Sequence, residues 1–193
     1  FLNGLPSTLI LGDNIFYGHG LPEMLERASL ETTGGTVFGY HVSDPERYGV
    51  VGFDANGRAN VIVEKPTDAP SNYAVTGLYF LDERACDMAK QVIPSSRGEL
   101  EITSLLEIYL EEGSLNVETM GRGIAWLDTG THASMLDASN FVRTLTERQG
   151  MQVGSPDEIA FRNGWITKAA LRQRAELFSK NDYGRFLARL VDS

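Results

Sequence analysis

The feature that most constrains the fold is a short apolar run that leads directly into an aspartate. Residues 8–11 are apolar or β-branched and have no polar face, which predicts a strand buried on both sides of a sheet. Gly12 ends this run, and Asp13 and Asn14 follow it. In open α/β sheets, ligands bind in the crevice beyond the carboxyl ends of the strands. The run therefore predicts an α/β fold with a carboxylate at its ligand-binding edge, while a turn that caps the next helix is an equally good interpretation of Asp13 and Asn14.

A second strand-end aspartate repeats this design late in the chain. Residues 124–127 are predicted to form an apolar strand, and Asp128 follows them just before the glycine-bearing turn at Gly130. Mg²⁺ keeps several waters and is commonly held by one or two carboxylates together with substrate phosphates. We therefore expect Asp13 and Asp128 to hold one Mg²⁺, although residues so far apart in the sequence form no local metal motif.

An acid and a base at the end of another predicted strand are candidate substrate contacts. Glu64 and Lys65 are adjacent there, so we expect their side chains to point to opposite faces and not to pair with each other. Glu64 is then suited to accept hydrogen bonds from sugar hydroxyls, and Lys65 is suited to neutralise a phosphate. The plain alternative is that both are solvated strand-end residues.

Arg97 is a second candidate phosphate contact. It lies beside Gly98 just before a predicted helix, where an arginine and backbone N–H groups can bind a phosphate together. The alternative interpretation is a surface ion pair with Glu99 or Glu101.

Charge and cysteine content exclude several classes of protein. The 193 residues include 26 acidic and 17 basic ones, and a net charge of −9 argues against a nucleic acid polymer as partner. No apolar run of about 18 residues and no signal-peptide pattern is present, so no membrane association is expected. Cys86 is the single cysteine, which rules out an intrachain disulfide and predicts a reducing, cytoplasmic compartment. Its neighbours Ala85 and Met88 predict a packed thiol.

The chain divides into a larger α/β part and a small helical tail. Residues 1–150 alternate predicted strands and helices, with a loop at residues 15–20 and Asp82 as the N-cap of a helix. Residues 151–193 contain no predicted strand, and a capping-box signature begins at Ser155. Helices are predicted at residues 168–177 and 183–191. We expect this tail to pack on its own domain or on another subunit.

Six sequence blocks, in order, resemble one family over practically the whole chain. They are residues 11–18 (LGDNIFYG), 44–51 (DPERYGVV), 64–66 (EKP), 71–79 (SNYAVTGLY), 97–103 (RGELEIT) and 126–132 (WLDTGTH). Together they resemble the bacterial glucose-1-phosphate thymidylyltransferases, sugar nucleotidyltransferases that make dTDP-glucose for the rhamnose pathway and so for cell-surface polysaccharide. The resemblance implies a Rossmann-like nucleotidyltransferase sheet, mixed and mostly parallel, flanked by helices and followed by a small helical appendage.

The resemblance also implies roles for individual residues. It makes dTTP and glucose 1-phosphate the substrates, dTDP-glucose the product and Mg²⁺ the cofactor, in a protein that is a homotetramer when full length. The metal ligands would be Asp13 and Asp128, the sugar contacts Gly49, Glu64 and Val75, and the phosphate contacts Lys65, Tyr79 and Arg97, with Asn14 also in the substrate site. A second, regulatory nucleotide site would include Gly18, Gly121, Arg122, Ile159 and Arg162.

One family motif is missing from this chain. The family carries a glycine-rich G-G-x-G-x-R-L loop after its first strand and a lysine further on, and both bind the triphosphate. Gly34 and Gly35 are no substitute, because Arg-Leu does not follow them. We therefore expect residues 1–150 to correspond to the later two-thirds of the catalytic domain, and the 193 residues alone not to turn over.

Three other functions compete with this interpretation of the sequence. A sister enzyme that uses UTP or CTP stays open, because base choice depends largely on the missing part. A non-catalytic module that binds nucleotide sugars or supports assembly belongs to a different class. A metal-dependent glycosyltransferase is less favoured, since such enzymes often present an Asp-x-Asp pair and none occurs here.

Overall fold

A long central strand organises the main sheet of the computed structural model, which describes residues 2–192. This strand, β6 (Tyr73–Leu81), is nine residues long and almost entirely buried, as its aromatic and β-branched residues predict. The other strands of the sheet are β1 (Ser7–Ile10), β3 (Gly35–His41), β4 (Gly49–Phe53), β5 (Ala59–Glu64) and β7 (Leu115–Thr119). Their order is β5-β4-β6-β3-β7, with β1 also paired to β6.

The α/β class and the mixed sheet are confirmed, but the strands are not mostly parallel. Among the described strands only the β3–β7 pair is parallel, while β6 pairs antiparallel with β1, β3 and β4. A tight turn after Asp54 also makes β4 and β5 antiparallel neighbours. Antiparallel pairing is the geometry that such short connections permit, whereas parallel neighbours need a crossover.

The first strand lies in a more exposed position than its composition predicts. β1 pairs with β6, yet Leu9 is 41% and Ile10 is 57% exposed. The prediction that this strand is buried on both sides is therefore wrong for the described residues. An apolar run shows that a segment can be buried, but the neighbours that bury it are set by non-local packing.

A second, two-stranded sheet replaces the loop predicted at residues 15–20. β2 (Asn14–Gly18) pairs antiparallel with β8 (Ile124–Asp128), and Asn14 lies opposite Asp128. All five β2 residues are only half-buried, so the strand lacks the alternation that would have revealed it. Gly18 is required at its end, because a Cβ there would lie 2.6 Å from Cα of Ile124.

Helices cover both faces of the main sheet. α3 (Ile102–Glu111) packs against one face, where Leu105 and Leu106 join Val37, while α1 (Leu21–Leu30) contributes to a second cluster that contains Phe38. Val37 and Phe38 are neighbours in β3 and enter different clusters, because successive side chains of a strand point to opposite faces.

Asp82 has a different role from the predicted helix N-cap. The short helix α2 (Ala85–Ala89) begins after Arg84, and the 3% exposed Asp82 carboxylate accepts hydrogen bonds from Gly34 N (2.7 Å), Tyr109 Oη (2.9 Å) and Arg84 N and Nε (3.0 and 2.9 Å). Burial acts to raise the pKa of Asp82, but these hydrogen bonds outweigh it and hold the pKa below its usual value. The Asp82 carboxylate therefore links the start of β3 and the end of β6 to α2 and α3 through hydrogen bonds.

The predicted packing of the cysteine is also wrong. Ala85 and Met88 are buried, but the Cys86 side chain is exposed, because it lies on the opposite side of the short helix α2.

By their internal contacts the residues up to Asp128 form one compact unit and those from Thr129 onward form another. The second unit consists of α4 (His132–Gln149), α5 (Pro156–Arg162), α6 (Lys168–Leu177) and α7 (Asp182–Asp192). Ser155 caps α5 as predicted, and the buried residues Leu171, Phe186 and Leu187 join α6 to α7. The domain boundary at residue 150, and the regulatory and oligomerisation roles of residues 151–193, stay predictions. Within residues 2–192 no helix is long and apolar enough to cross a membrane.

Candidate active site

Most residues predicted to bind substrate line a single pocket of about 240 Å³ in the first unit. The predicted residues in its lining are Asp13, Asn14, Gly49, Glu64, Lys65, Val75, Tyr79 and Asp128. The residues that the sequence reasoning missed are Leu11, Arg47, Tyr48, Gly77, Ile102, Thr103 and Trp126. Residues from five strands, from α3 and from the short 3₁₀ helix Pro45–Arg47 thus meet in this pocket.

The β2–β8 ladder brings the two distant aspartates to the same pocket. Asp128 ends β8 opposite Asn14, and Asp13 immediately precedes Asn14. A strand follows Asp13, and α1 begins only at Leu21 without a side-chain cap. The alternative interpretation, in which Asp13 and Asn14 cap the next helix, is therefore wrong.

The donor chemistry of this pair fits a hydrated magnesium ion. Asp13 and Asp128 both line the pocket, and carboxylate oxygen is a ligand that Mg²⁺ prefers. The described residues contain no group of three or more His, Cys, Asp or Glu side chains that could hold a metal. Two carboxylates are nevertheless a common protein contribution to magnesium sites that substrate phosphates complete.

Glu64 is held in place by its neighbours across the pocket wall. Its Oε2 accepts a hydrogen bond of 3.1 Å from Thr103 Oγ1, and Gly49 lies opposite Glu64 in the β4–β5 ladder. A Cβ at Gly49 would lie 2.6 Å from Cγ2 of Thr103 and 3.3 Å from Oε2 of Glu64. The glycine therefore allows Thr103 to reach Glu64.

Lys65 departs from the strand geometry that the sequence predicts. Its φ is +42°, in the left-handed region, and its N–H donates to the carbonyl of Tyr48 at 2.9 Å. This conformation breaks the alternation of side chains, so Nζ lies 3.9 Å from Oε1 of Glu64. The expectation that the two side chains do not approach each other is wrong. Left-handed backbone at a non-glycine residue stores strain and often occurs at binding sites.

Arg97 is not among the residues that line the pocket, but it contacts one of them. Its guanidinium is 3.5 Å from Glu64, 2.6 Å from Glu99 and 3.5 Å from Glu101. The predicted surface pairs with Glu99 and Glu101 are therefore present. The contact with Glu64 brings Arg97 beside the pocket as well.

Aromatic side chains form a wall of the pocket that sequence reasoning missed. The Trp126 ring packs on Tyr48 and Tyr40, with ring centroids 5.1 and 5.7 Å apart. The signal was present, because Trp126 is two residues before Asp128 in the same strand and so faces the same side.

Two tyrosine hydroxyls in the pocket keep their protons at neutral pH. Burial raises the pKa of Tyr79 to about 12, and the carboxylates of Glu64 and Asp13 act in the same direction. Burial also raises the pKa of Tyr48, with Arg47 opposing and Asp44 and Asp128 reinforcing it. Both groups are therefore neutral hydroxyls that can donate hydrogen bonds.

The residues predicted for a regulatory site fall in both units. Gly18 ends β2, and Gly121 and Arg122 lie in the turn between β7 and β8. Ile159 and Arg162 lie on α5, where Ile159 is exposed and Arg162 Nε donates to Glu158 Oε1 at 2.8 Å. Their regulatory role stays a prediction.

Comparison with known proteins assigns the family. A family model described as "Nucleotidyl transferase" matches residues 1–144. The chain belongs to the nucleotidyl transferase family. This agrees with the six sequence blocks that led to the same family.

Curated members of the family are similar over almost the whole chain. The glucose-1-phosphate thymidylyltransferase of Xanthomonas campestris pv. campestris (strain B100) is 56% identical over 191 residues, which are 99% of this chain and 65% of that protein. Those of Neisseria gonorrhoeae and Mycobacterium tuberculosis (strain ATCC 25618 / H37Rv) are 53% and 50% identical, over 95% and 96% of this chain and 64% of each protein. The chain thus spans 65% of the length of the Xanthomonas relative.

Solved nucleotidyl transferases share the fold. A Bacillus anthracis protein assigned as a glucose-1-phosphate thymidylyltransferase, crystallised with sucrose, superimposes with a TM-score of 0.64 at 38% identity, covering 74% of this chain and 56% of that one. A UDP-glucose pyrophosphorylase complexed with UDP-glucose gives a TM-score of 0.65 at 23% identity, covering 74% and 58%. The second likeness concerns the fold alone.

Proposed function

We propose that the chain contributes the sugar-phosphate and metal site of a glucose-1-phosphate thymidylyltransferase. In this reaction an oxygen of the phosphate of glucose 1-phosphate attacks the α-phosphorus of dTTP. The bond from the α-phosphorus to the oxygen that joins it to the β-phosphorus breaks, so that dTDP-glucose forms and pyrophosphate leaves. The observation that carries the proposal is the pocket itself, since Asp13, Asp128, Glu64 and Lys65 all line it. The names of curated relatives at 46–56% identity support the same reaction.

Two acidic residues serve the metal in this proposal. Asp13 and Asp128 would hold Mg²⁺, which would supply positive charge to neutralise the charge that develops on the phosphates. No nucleophilic side chain and no covalent enzyme intermediate is required, because the attacking oxygen belongs to the sugar phosphate. The protein then accelerates the reaction by positioning and by preorganised charge.

The other wall of the pocket binds the sugar phosphate. Glu64, oriented by Thr103, accepts hydrogen bonds from sugar hydroxyls, while Gly49 and Val75 shape the space around the ring. Lys65 and the neutral Tyr79 hydroxyl bind phosphate oxygens.

Arg97 adds a second cation beside the pocket. Its ion pair with Glu64, which Lys65 also approaches, supports a role in binding the same phosphate as Lys65. Local cations of this kind are necessary in a chain with a net charge of −9, because the overall field repels anionic substrates.

The proposal extends to the finer properties that the family resemblance implies. They are dTTP as the nucleotide, supply of dTDP-glucose for rhamnose and polysaccharide synthesis, a cytoplasmic homotetramer, and feedback at the residues Gly18, Gly121, Arg122, Ile159 and Arg162. A sister UTP- or CTP-dependent enzyme is the first alternative, and the shared thymidylyltransferase name of the curated relatives argues against it.

A non-catalytic binding module is the alternative from another class. Calorimetry of the chain with dTDP-glucose and Mg²⁺, beside a turnover assay, separates the two. We expect the chain to show a heat of binding for dTDP-glucose that depends on Mg²⁺. We expect dTDP-glucose to be produced once the chain is part of a polypeptide that also carries the glycine-rich loop. Heat without product in that longer polypeptide would favour the binding module, and no heat in either form would overturn the proposed site. Asp68→Asn, an exposed change outside the pocket, is the matched control.

A further inference from the structure

The Asn14 side chain is the centre of a hydrogen-bond network that joins three strands. Its Oδ1 accepts from the indole Nε1 of Trp126 on β8 at 2.6 Å and from the backbone N of Gly77 on β6 at 3.1 Å. Its Nδ2 donates to Oδ1 of Asp13 at 2.8 Å. The network therefore links the pocket wall to one of the proposed metal ligands.

The orientation of this amide is determined by its partners. An indole N–H and a backbone N–H can only donate, so the atom that faces both must be the amide oxygen. The amide nitrogen must then face the carboxylate of Asp13, which can only accept. Reversal of the amide would place an oxygen against that carboxylate and an N–H group against two donors.

The surrounding structure leaves the amide little freedom. A Cβ at Gly77 would lie 2.7 Å from Oδ1 of Asn14 and 2.8 Å from Cδ1 of Leu11, so only glycine permits this approach. Trp126 is buried and packed between Tyr40 and Tyr48, which fixes the indole that donates to Asn14. The more exposed Asp13 is thus attached to a rigid support.

We propose that Asn14 is a positioning residue for the Asp13 carboxylate, locked in one orientation by Trp126 and Gly77. The metal role of Asp13 rests on the proposed function, whereas the coupling of Asp13 to Trp126 through Asn14 does not. Because both acceptor sites of its oxygen are occupied, Asn14 offers a ligand only an N–H donor. This deepens its predicted role as a substrate contact.

The indole N–H of Trp126 reports on this network directly. The chain has two tryptophans, so its NMR spectrum contains two indole N–H signals, which Trp165→Phe assigns. Trp165 is 73% exposed, so its indole exchanges freely with solvent and serves as the internal control. We expect the Trp126 indole N–H to exchange more slowly and to resonate at a position typical of a strong hydrogen bond.

A double-substitution cycle tests the coupling. We expect Asp13→Ala to move the Trp126 indole signal, Asn14→Ala to speed its exchange, and Asp13→Ala to have no further effect once Asn14→Ala is present. Asp68→Ala is the charge control and should leave the signal in place. An equal shift on Asp13→Ala with and without Asn14→Ala would overturn the proposal. If Asn14→Ala does not fold, the Asn14 side-chain N–H₂ signals of the parent are followed instead. They should shift on Asp13→Ala, which removes their acceptor, and on Trp126→Phe, which removes the donor to the same amide, and the absence of either shift would overturn the proposal.

A metal titration separates this inference from the proposed function. Mg²⁺ alone is titrated and its binding is measured by calorimetry, because the Trp126 signal no longer reports on Asp13 in Asn14→Ala. We expect the dissociation constant for Mg²⁺ to rise roughly 10–100-fold on Asn14→Ala, as for other groups that orient metal ligands. In an active polypeptide, the KM for glucose 1-phosphate should change less than the Mg²⁺ requirement. Coupling without any response to Mg²⁺ would support the positioning role and overturn the metal role of Asp13. Absence of coupling would overturn the positioning role whatever the activity.

Discussion

Asp82 and Asp128 both lie at the ends of apolar strands, but their carboxylates have different surroundings. Asp82 comes directly after β6, and hydrogen bonds from a backbone amide, an arginine and a tyrosine saturate its buried carboxylate. Asp128 ends β8 and lines an open pocket together with Asp13. The difference teaches that a strand-end carboxylate serves the fold where protein donors surround it, and can serve a ligand where a pocket opens beside it.

The largest expected effect is on catalysis and sharpens this comparison. Asp128→Asn keeps the shape of the side chain but removes a charge from the proposed metal site. We expect turnover of an active polypeptide to fall by about 100-fold or more, as when a single preorganised charge-stabilising group is lost, with little change in unfolding free energy. Steady-state kinetics and urea denaturation measure the two quantities. Activity near that of the parent would remove Asp128 from the metal site.

Asp82→Asn should show the reverse pattern. The amide places an N–H₂ group among donors, so buried hydrogen bonds are lost, and we expect the free energy of unfolding to fall by about 2 kcal/mol. Catalysis per folded molecule should stay unchanged. Urea denaturation is the measurement, and Asp87→Asn, in an exposed ion pair with Lys90, is a control that should change stability little. A stable but inactive Asp82→Asn variant would show that Asp82 serves catalysis and not the fold, which contradicts the comparison.

Arg97→Ala should have a smaller effect, confined to binding. The substitution removes a cation beside Glu64, and we expect the apparent affinity for glucose 1-phosphate to weaken roughly tenfold, as for loss of one charge-assisted contact. Stability should change little, because the shortest Arg97 ion pair, with Glu99, is solvent-exposed and the contacts with Glu64 and Glu101 are longer, at 3.5 Å. Arg58→Ala, on the β4–β5 turn, is the matched control. Unchanged affinity for the sugar phosphate would exclude Arg97 from the site.

The smallest expected effect is a change in acid sensitivity. Because the pKa of Asp82 lies below its usual value in the folded chain, its stabilising contribution is complete above the unfolded pKa of about 3.9. That contribution is lost as pH falls through the folded pKa. In Asp82→Asn, the free energy of unfolding should therefore decrease less steeply as the pH falls below about 4. Identical acid profiles for the parent and the variant would show that the hydrogen bonds to Asp82 do not stabilise its charged form.

Local sequence patterns were sufficient to predict many helices and strands, but not which segments pack or pair with one another. The helix Lys168–Leu177 has the predicted bounds, and β5 ends at Glu64 as predicted, because amphipathic periodicity and turn residues define such limits within a few positions. The exposure of β1 and the pairing of β2 with β8 depend on contacts between distant segments, which no local window contains.

The same limit explains which site residues were missed. Asp13, Asp128 and Glu64 were found because their residue types suggest chemistry at strand ends. Thr103 and Trp126 act through the partners that they hold, and those partnerships appear only when β5 meets α3 and β8 meets β2 and β6.

The most direct test of a shared cation is a double-substitution cycle of metal affinity. Mn²⁺, a paramagnetic substitute for Mg²⁺, is titrated in the presence of dTDP-glucose into the parent chain, Asp13→Asn, Asp128→Asn and the double variant. We predict that each single substitution weakens binding strongly and that the second adds little to the first, because both carboxylates hold the same ion. Independent, additive losses, or unchanged binding in either single variant, would contradict a common site.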